Sequence, residues 1–164
     1  KGVFFMITLA TAADLPQILA IYAHARAFMA QHGNPNQWGA SRPTEADITA
    51  HIAAHELYVL READAIHGVF AFILGEDPTY RVIEQGAWLS DAPYGTIHAV
   101  ASDGQIHGLL NHIVAYCEQT TKHLRIDTHH DNAIMQHVIL KNGFTRCGII
   151  HIASGAERIA FEKV

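Results

Sequence analysis

Two kinds of chemistry are suggested by residue type and spacing in this sequence: anion binding at a turn and proton transfer at strand ends. The run Thr96 to Ala101 reads as a strand, and it is followed by Gln105-Ile106-His107-Gly108-Leu109-Leu110, a glycine-bearing turn that opens a helix. A helix N-terminus offers backbone N–H groups with no intrahelical partner and a positive dipole end, so such a turn is a ready seat for a pyrophosphate. Asp127 and His129 stand two apart in another strand-like run, which predicts that they share a face. A carboxylate there can orient an imidazole and raise its basicity, so the pair reads as a candidate proton acceptor or as an ordinary polar strand end. His98 is a further candidate, and reads equally well as a satisfied buried histidine. His51 and His55 have the i, i+4 spacing of metal ligands, but no third ligand motif accompanies them, so they read as a solvated helix face and no metal is expected.

These residues need elements to position them. Ile7 to Ala10 reads as a strand, and Thr11 to Asp14 offers capping oxygens for a helix that tolerates Pro16 in its first turn. Leu15, Ile18, Leu19, Tyr22, Ala25, Arg26 and Met29 recur at helical spacing. Gly33-Asn34-Pro35-Asn36 breaks the chain, and Thr44 with Asp47 forms a capping box for a second helix through about His55. Leu57 to Arg61 and Ile66 to Leu74 read as an antiparallel hairpin, followed by an irregular stretch from Gly75 to Tyr94 with a short strand around Ala87 to Leu89. After the strand Thr96 to Ala101, a helix is expected over Gln105 to Thr121 and a strand over Leu124 to Thr128. Asp131 is expected to cap a helix to about Asn142, closed by Gly143 in a left-handed C-terminal position. Phe144 to Ile152 and Glu157 to Glu162 complete a last hairpin, so the order is that of an α+β protein around one sheet.

Composition narrows the function classes. The 164 residues fit one domain, expected over residues 6–164, with Met6 read as a start and Lys1 to Phe5 as an N-terminal extension. Hydrophobic residues at 49% and charged ones at 16% describe a chain that folds around a core. The apolar runs are far short of the ~20 residues a bilayer-spanning helix needs, so no membrane partner and a cytoplasmic location are expected. Lys and Arg total 11 against a net charge of −5, without the basic clustering of a nucleic-acid binder. Cys117 and Cys147 read as core thiols.

The turn Gln105-Ile106-His107-Gly108-Leu109-Leu110 resembles the pyrophosphate loop of the GNAT superfamily of acyl-CoA-dependent N-acyltransferases, Q/R-x-x-G-x-G/A. Asn132 to Phe144 is similar to the superfamily's second signature, in which Asn leads a helix that ends at Gly-Phe. The likeness covers Ile7 to about Glu162 and implies a three-layer α/β/α fold whose mixed, mostly antiparallel sheet splays between its central strands. Acetyl-CoA would lie in that gap as cosubstrate: Ala99, Val100 and Ala101 would pair with the pantetheine arm, the amides of Ile106 to Leu110 would hold the pyrophosphate, and Asn132 would contact the pantetheine.

The chemistry implied is N-acetylation of a primary amine, on a small molecule or a peptide, by direct attack. It needs a deprotonated amine, a donor to the developing oxyanion such as an N–H near Val100, and a proton acceptor. Asp127 with His129, or His98, would be that acceptor, with Glu84 and Tyr94 able to enter from the irregular stretch. Two positions depart from the family pattern. Leu110 stands where Gly or Ala admits the phosphates, and Ile139 stands where many members carry a tyrosine that protonates the departing thiolate. These departures motivate the alternative of a CoA-binding regulatory module on the same fold; a third reading keeps the chemistry with a different acyl group. The acceptor site would draw on Arg26 to Pro43 and Gly75 to Tyr94, where Trp38 reads as a pocket wall or as an aromatic tucked under a loop, and Glu76, Asp77, Glu84 and Asp91 as acids that could attract a cationic amine or serve only solubility. The sequence leaves the oligomeric state open; a homodimer through sheet edges or helices is compatible with it, the final hairpin reading as an edge that could need covering.

Overall fold

The computed structural model describes residues 5–164, so Lys1 to Phe4 of the expected extension lie outside the described residues. The elements are β1 (Met6–Leu9), α1 (Leu15–Gln31), α2 (Glu45–Ala53), β2 (Leu57–Glu62), β3 (Ala65–Leu74), β4 (Gly95–Ser102), α3 (Leu109–Cys117), β5 (Leu124–Thr128), α4 (Ala133–Lys141), β6 (Thr145–His151) and β7 (Glu157–Lys163), with short 3-10 turns at Ala12–Asp14 and Pro78–Tyr80. The strands form one seven-stranded sheet in the order β1-β2-β3-β4-β5-β7-β6. It is mixed: β4 and β5 run parallel, while β1–β2, β2–β3, β5–β7 and β6–β7 are antiparallel. None of the described helices is long and apolar enough to cross a membrane.

The chain clusters into two compact units, one running to Phe72 and including Ala99–Leu109, the other comprising Ile73–His98 and Leu110–Val164. In the first, α1 buries Ile18, Ile21, Tyr22 and Ala25, one stripe at helical spacing, in a core with Ile48 of α2 and Val59 and Val69 of the hairpin. Ile21, outside the expected stripe, belongs to it, whereas Leu19 is only partly buried. The Thr44–Asp47 capping box forms, with Asp47 N–H donating to Thr44 Oγ1 at 3.1 Å and Thr44 N–H to Asp47 Oδ2 at 2.9 Å. The helix it opens stops at Ala53, and His55 then adopts a left-handed φ of 57°, so His51 and His55 do not share a helical face. Trp38 packs edge-on against Tyr22 at 5.6 Å between ring centres, partly buried against this core.

The second unit is organised around a buried ion pair. Arg125 of β5 and Glu162 of β7 are 4% and 0% exposed, and Arg125 Nε donates to Glu162 Oε2 at 2.6 Å. The Arg125 guanidinium lies between the Trp88 and Tyr94 rings, 3.9 Å from each centre, and donates to Ser90 O at 2.8 Å. Glu162 also accepts the Leu89 amide, and Trp88 Nε1 donates to Tyr80 O at 2.9 Å. These side-chain bonds fix the stretch between β3 and β4 and explain why the strand expected at Ala87 to Leu89 does not form: Leu89 spends its N–H on a carboxylate and not on a ladder. The stretch meets the sheet instead, among the described residues, at one isolated bridge, Glu84 with Ile149 of the edge strand β6. Gly86 and Gly148 make that approach possible, since a Cβ on Gly86 would stand 1.8 Å from Cys147 O. Cys117 and Cys147 are free and buried, as expected.

Candidate active site

The parallel ladder between β4 and β5 is short. Its registered pairs run from Gly95–Leu124 to Ile97–Ile126, although β4 continues to Ser102 and β5 to Thr128. The residues at the next step are His98 and Asp127, and there His98 Nδ1 stands 4.0 Å from Asp127 Oδ2. One residue on, Ala99 adopts a left-handed φ of 53°, which a regular strand cannot accommodate. Tyr22 Oη donates to Ala99 O at 2.7 Å, and burial pushes the Tyr22 phenol far above its ordinary pKa, so it remains a donor.

His98 is bonded on its other side. Its Nε2 lies 2.8 Å from Asp77 Oδ2, in the connection between β3 and β4. Asp77 caps the Pro78–Tyr80 turn: Thr79 N–H and Oγ1 donate to Oδ1 at 2.8 and 2.7 Å, and the Asp77 amide donates to Tyr94 Oη at 2.8 Å. Burial pushes the Asp77 carboxyl up, but the hydrogen bonds from His98 and Thr79 outweigh it and bring the pKa down to about 2. Asp77 is therefore an ionised, fixed carboxylate and not one of a set of solubilising surface acids. Tyr80 Oη donates to Asp127 Oδ2 at 2.6 Å, and burial with the neighbouring Asp127 charge holds the phenol protonated.

The structure parts the pair that the spacing predicted. Asp127 joins Tyr80 and His98, whereas His129 lies beyond the end of β5, and its Nδ1 accepts the Asp131 amide at 3.0 Å. Burial, then the His130 and Arg158 charges, lower the His129 pKa against the opposing pull of Asp131. His129, His130 and Asp131 bring ligand atoms within 4.8 Å of one another, the one such group among the described residues. The two imidazoles stack at 4.2 Å, so their in-plane lone pairs run alongside each other without converging. Tyr94 enters through its hydroxyl, but the Glu84 side chain is exposed and only its backbone is engaged. Thr79 and Tyr80 are residues of this cluster that the sequence reading did not name, and Asp77, expected only as an acid that could attract a cationic amine or serve solubility, is bonded to His98; Asp77-Pro78-Thr79 did carry a signal, a capping residue before a proline that suits the first position of a helical turn.

The turn at Gln105 to Leu110 differs from expectation in that its helix is shorter at both ends. The helix begins at Leu109, because Gly108 at φ 67° sits in the left-handed region and a helix cannot run through it, and it ends at Cys117, short of the expected Thr121. Gln105 to Gly108 thus form a loop at the N-terminus of α3. Asp103 Oδ1 accepts the Gln105 amide at 3.0 Å, and Asp103 Oδ2 is 2.7 Å from His67 Nδ1, which ties down the carboxylate nearest the loop. Leu110 is 3% exposed, its side chain committed to the core. Asn132, and not Asp131, caps α4: its Oδ1 accepts the Met135 amide at 3.0 Å. Gly143, at φ 89°, follows that helix as expected, and Ile139 is wholly buried.

No protein-family model matches the sequence, and no curated protein does. Solved structures do. A GNAT-family acetyltransferase from Streptococcus agalactiae is 30% identical with a TM-score of 0.88, covering 98% of this chain and 95% of its own. A GNAT-family acetyltransferase from Listeria monocytogenes has the same fold at 16% identity, with a TM-score of 0.70 and coverage of 97% and 94%. YncA of Salmonella typhimurium, solved with acetyl-CoA, is similar in fold at 15% identity, TM-score 0.60, with coverage of 96% and 92%.

Proposed function

Since this chain belongs to the GNAT family of acetyltransferases, we propose that it transfers the acetyl group of acetyl-CoA to a primary amine of a small molecule or peptide, with His98 as the proton acceptor. The observation that carries this reading is the end of the β4–β5 ladder at Ile97–Ile126, where His98 and Asp127 meet next to the left-handed Ala99. Acetyl-CoA supplies an acyl carbon activated by a thiolate leaving group. The chain's residues do the rest. Backbone groups of Ala99, Val100 and Ala101 pair with the pantetheine, and amides of Ile106 to Leu110, His107 and Gly108 among them, take the pyrophosphate. The loop suits an anion because no acidic side chain lies between Gln105 and Leu110, and Asp103 upstream is held by His67. The burial of the Leu110 side chain supports that approach. Asn132, as cap of α4, holds the start of that helix for a pantetheine contact.

In the transfer, the amine nitrogen forms a bond to the acyl carbon while the C–S bond breaks. The Val100 N–H donates to the oxygen on which charge develops, and His98 takes the proton released from nitrogen. Ile139 has no proton to give the thiolate, so water serves there, which the acidity of a CoA thiol permits. His98 is favoured over His129 because it stands beside a second carboxylate, Asp77, whereas the His129 Nδ1 is occupied by a backbone amide.

Calorimetric titration with acetyl-CoA, followed by thiol release over a panel of primary amines, tests the reading. Binding with amine-dependent release is expected, and His98→Gln should lower kcat by about 10²-fold or more at unchanged acetyl-CoA affinity. Binding without amine-dependent release would make the chain a CoA-binding module, and no binding would remove the cosubstrate assignment.

A further inference from the structure

We propose that Asp77 is the positioning residue for His98, fixing the imidazole in the tautomer whose basic nitrogen is Nδ1. The inference rests on the acetyl-transfer reading above and deepens it. Both Asp77 oxygens are committed: Oδ1 accepts Thr79 N–H and Oγ1–H, and Oδ2 faces His98 Nε2 at 2.8 Å. Its backbone is held as well, through Tyr94 Oη. An ionised carboxylate only accepts hydrogen bonds, so the nitrogen facing it must carry the proton. In the neutral ring the lone pair then belongs to Nδ1.

The opposite flank completes the arrangement. Asp127 carries the same charge as Asp77, yet its Oδ2 stays 4.0 Å from Nδ1, beyond hydrogen-bond range. Tyr80 is the reason, because its hydroxyl holds that oxygen at 2.6 Å. One carboxylate is thus bonded to the imidazole and the other is restrained beside it, where it favours the imidazolium that forms when the amine gives up its proton. The charged and titratable groups that face His98 or its partners include Asp77 from the β3–β4 connection, Tyr80 from the 3-10 turn, Tyr94 through its bond to the Asp77 amide, Asp127 from β5, and Arg158 of β7, which acts on Asp127 electrostatically.

Asp77→Asn is the informative substitution. Thr79 presents two donors at the Oδ1 position, so the amide oxygen must go there and the NH₂ group must face Nε2. Nε2 would then have to accept, and the proton moves to Nδ1, which removes the base. Long-range ¹H–¹⁵N spectra of the imidazoles should show His98 as the Nε2–H tautomer in the wild type and as Nδ1–H in Asp77→Asn. The same variant should lose about 10²-fold in kcat, with KM for acetyl-CoA unchanged and the acidic limb of the kcat/KM profile moved to lower pH, because the imidazolium has lost its partner. Thr79→Val, which keeps the Thr79 amide and removes only the hydroxyl bond, should show a smaller loss in kcat and serves if Asp77→Asn fails to fold. Wild-type kcat in Asp77→Asn, or an unchanged pH profile in an active wild type and variant, would overturn the positioning role while leaving acetyl transfer intact. A wild-type chain that releases no thiol with any amine would overturn the acetyl-transfer reading, and this one with it, whichever tautomer the spectra show.

Discussion

Glu162 shows at the scale of single residues how much of this protein rests on buried charge. Its carboxylate faces Arg125 Nε at 2.6 Å and His123 Nε2 at 2.7 Å, and accepts the Leu89 amide. Burial alone would raise its pKa, but the bonds from His123 and Arg125 outweigh it and hold the group below the ordinary glutamate value. Removing the charge leaves Arg125 desolvated and unpaired, so Glu162→Gln should cost about 3–5 kcal/mol in urea unfolding near neutral pH. The sign of the pH dependence follows from the depressed pKa. Glu162 stabilises the fold above the ordinary glutamate pKa of ~4.3, and that contribution is lost as pH falls through its lower folded value, so the gap between wild type and Glu162→Gln should close in acid. A gap that stays constant from pH 7 to strongly acid pH would show that the charge is not what stabilises this unit. Nothing in Leu124-Arg-Ile-Asp-Thr128 marks Arg125 as buried, because alternation in a strand tells which residues share a face and not what covers that face.

At the scale of elements, glycines decide where regular structure stops and where chains can touch. Gly108 starts α3 at Leu109 and leaves the preceding loop outside the helix, while Gly143 ends α4 with a left-handed residue. Gly86 has a different task. The Glu84–Ile149 bridge covers part of the edge strand β6, with N–H to O distances of 2.9 and 2.8 Å, and any Cβ on Gly86 would meet the Cys147 carbonyl. That obstacle is backbone, so it cannot rotate away. Gly86→Ala should therefore destabilise the chain by about 2 kcal/mol and, by uncovering an edge, promote self-association. Thermal unfolding with light scattering checks both effects, and a variant with wild-type stability would mean the segment is not held against β6. The capping box at Thr44 and the left-handed Gly143 were readable from sequence because both are set by residues a few positions apart. The strand expected at Ala87 to Leu89 was not, since its competitor was a carboxylate 73 residues away.

For the whole molecule, the family assignment and the cosubstrate make a joint prediction. A ligand that binds only the folded chain stabilises it in proportion to the logarithm of its concentration, about 2.7 kcal/mol at 100-fold over Kd. Acetyl-CoA should accordingly raise the unfolding temperature by roughly 5–10 °C at that excess. A primary amine alone should not; no shift at millimolar acetyl-CoA would count against the loop at Gln105 to Leu110 as a pyrophosphate seat. A glycine-bearing turn ahead of a helix, a helix led by Asn132 and closed at Gly143, and the order of the strands and helices, the one at Ala87 to Leu89 aside, were legible in the sequence, because periodicity, caps and left-handed glycines act over one or two turns of chain. The arrangement around His98 was decided only by the tertiary structure. Asp77 lies 21 residues before His98, and Tyr80 lies 47 before Asp127, so no local pattern joins them. His129, the nearer partner for Asp127 by spacing, was lost because β5 ends at Thr128 and the turn beyond it gives the imidazole to the Asp131 amide. Alternation along a strand holds only while the strand continues, and where it stops is set by the fold.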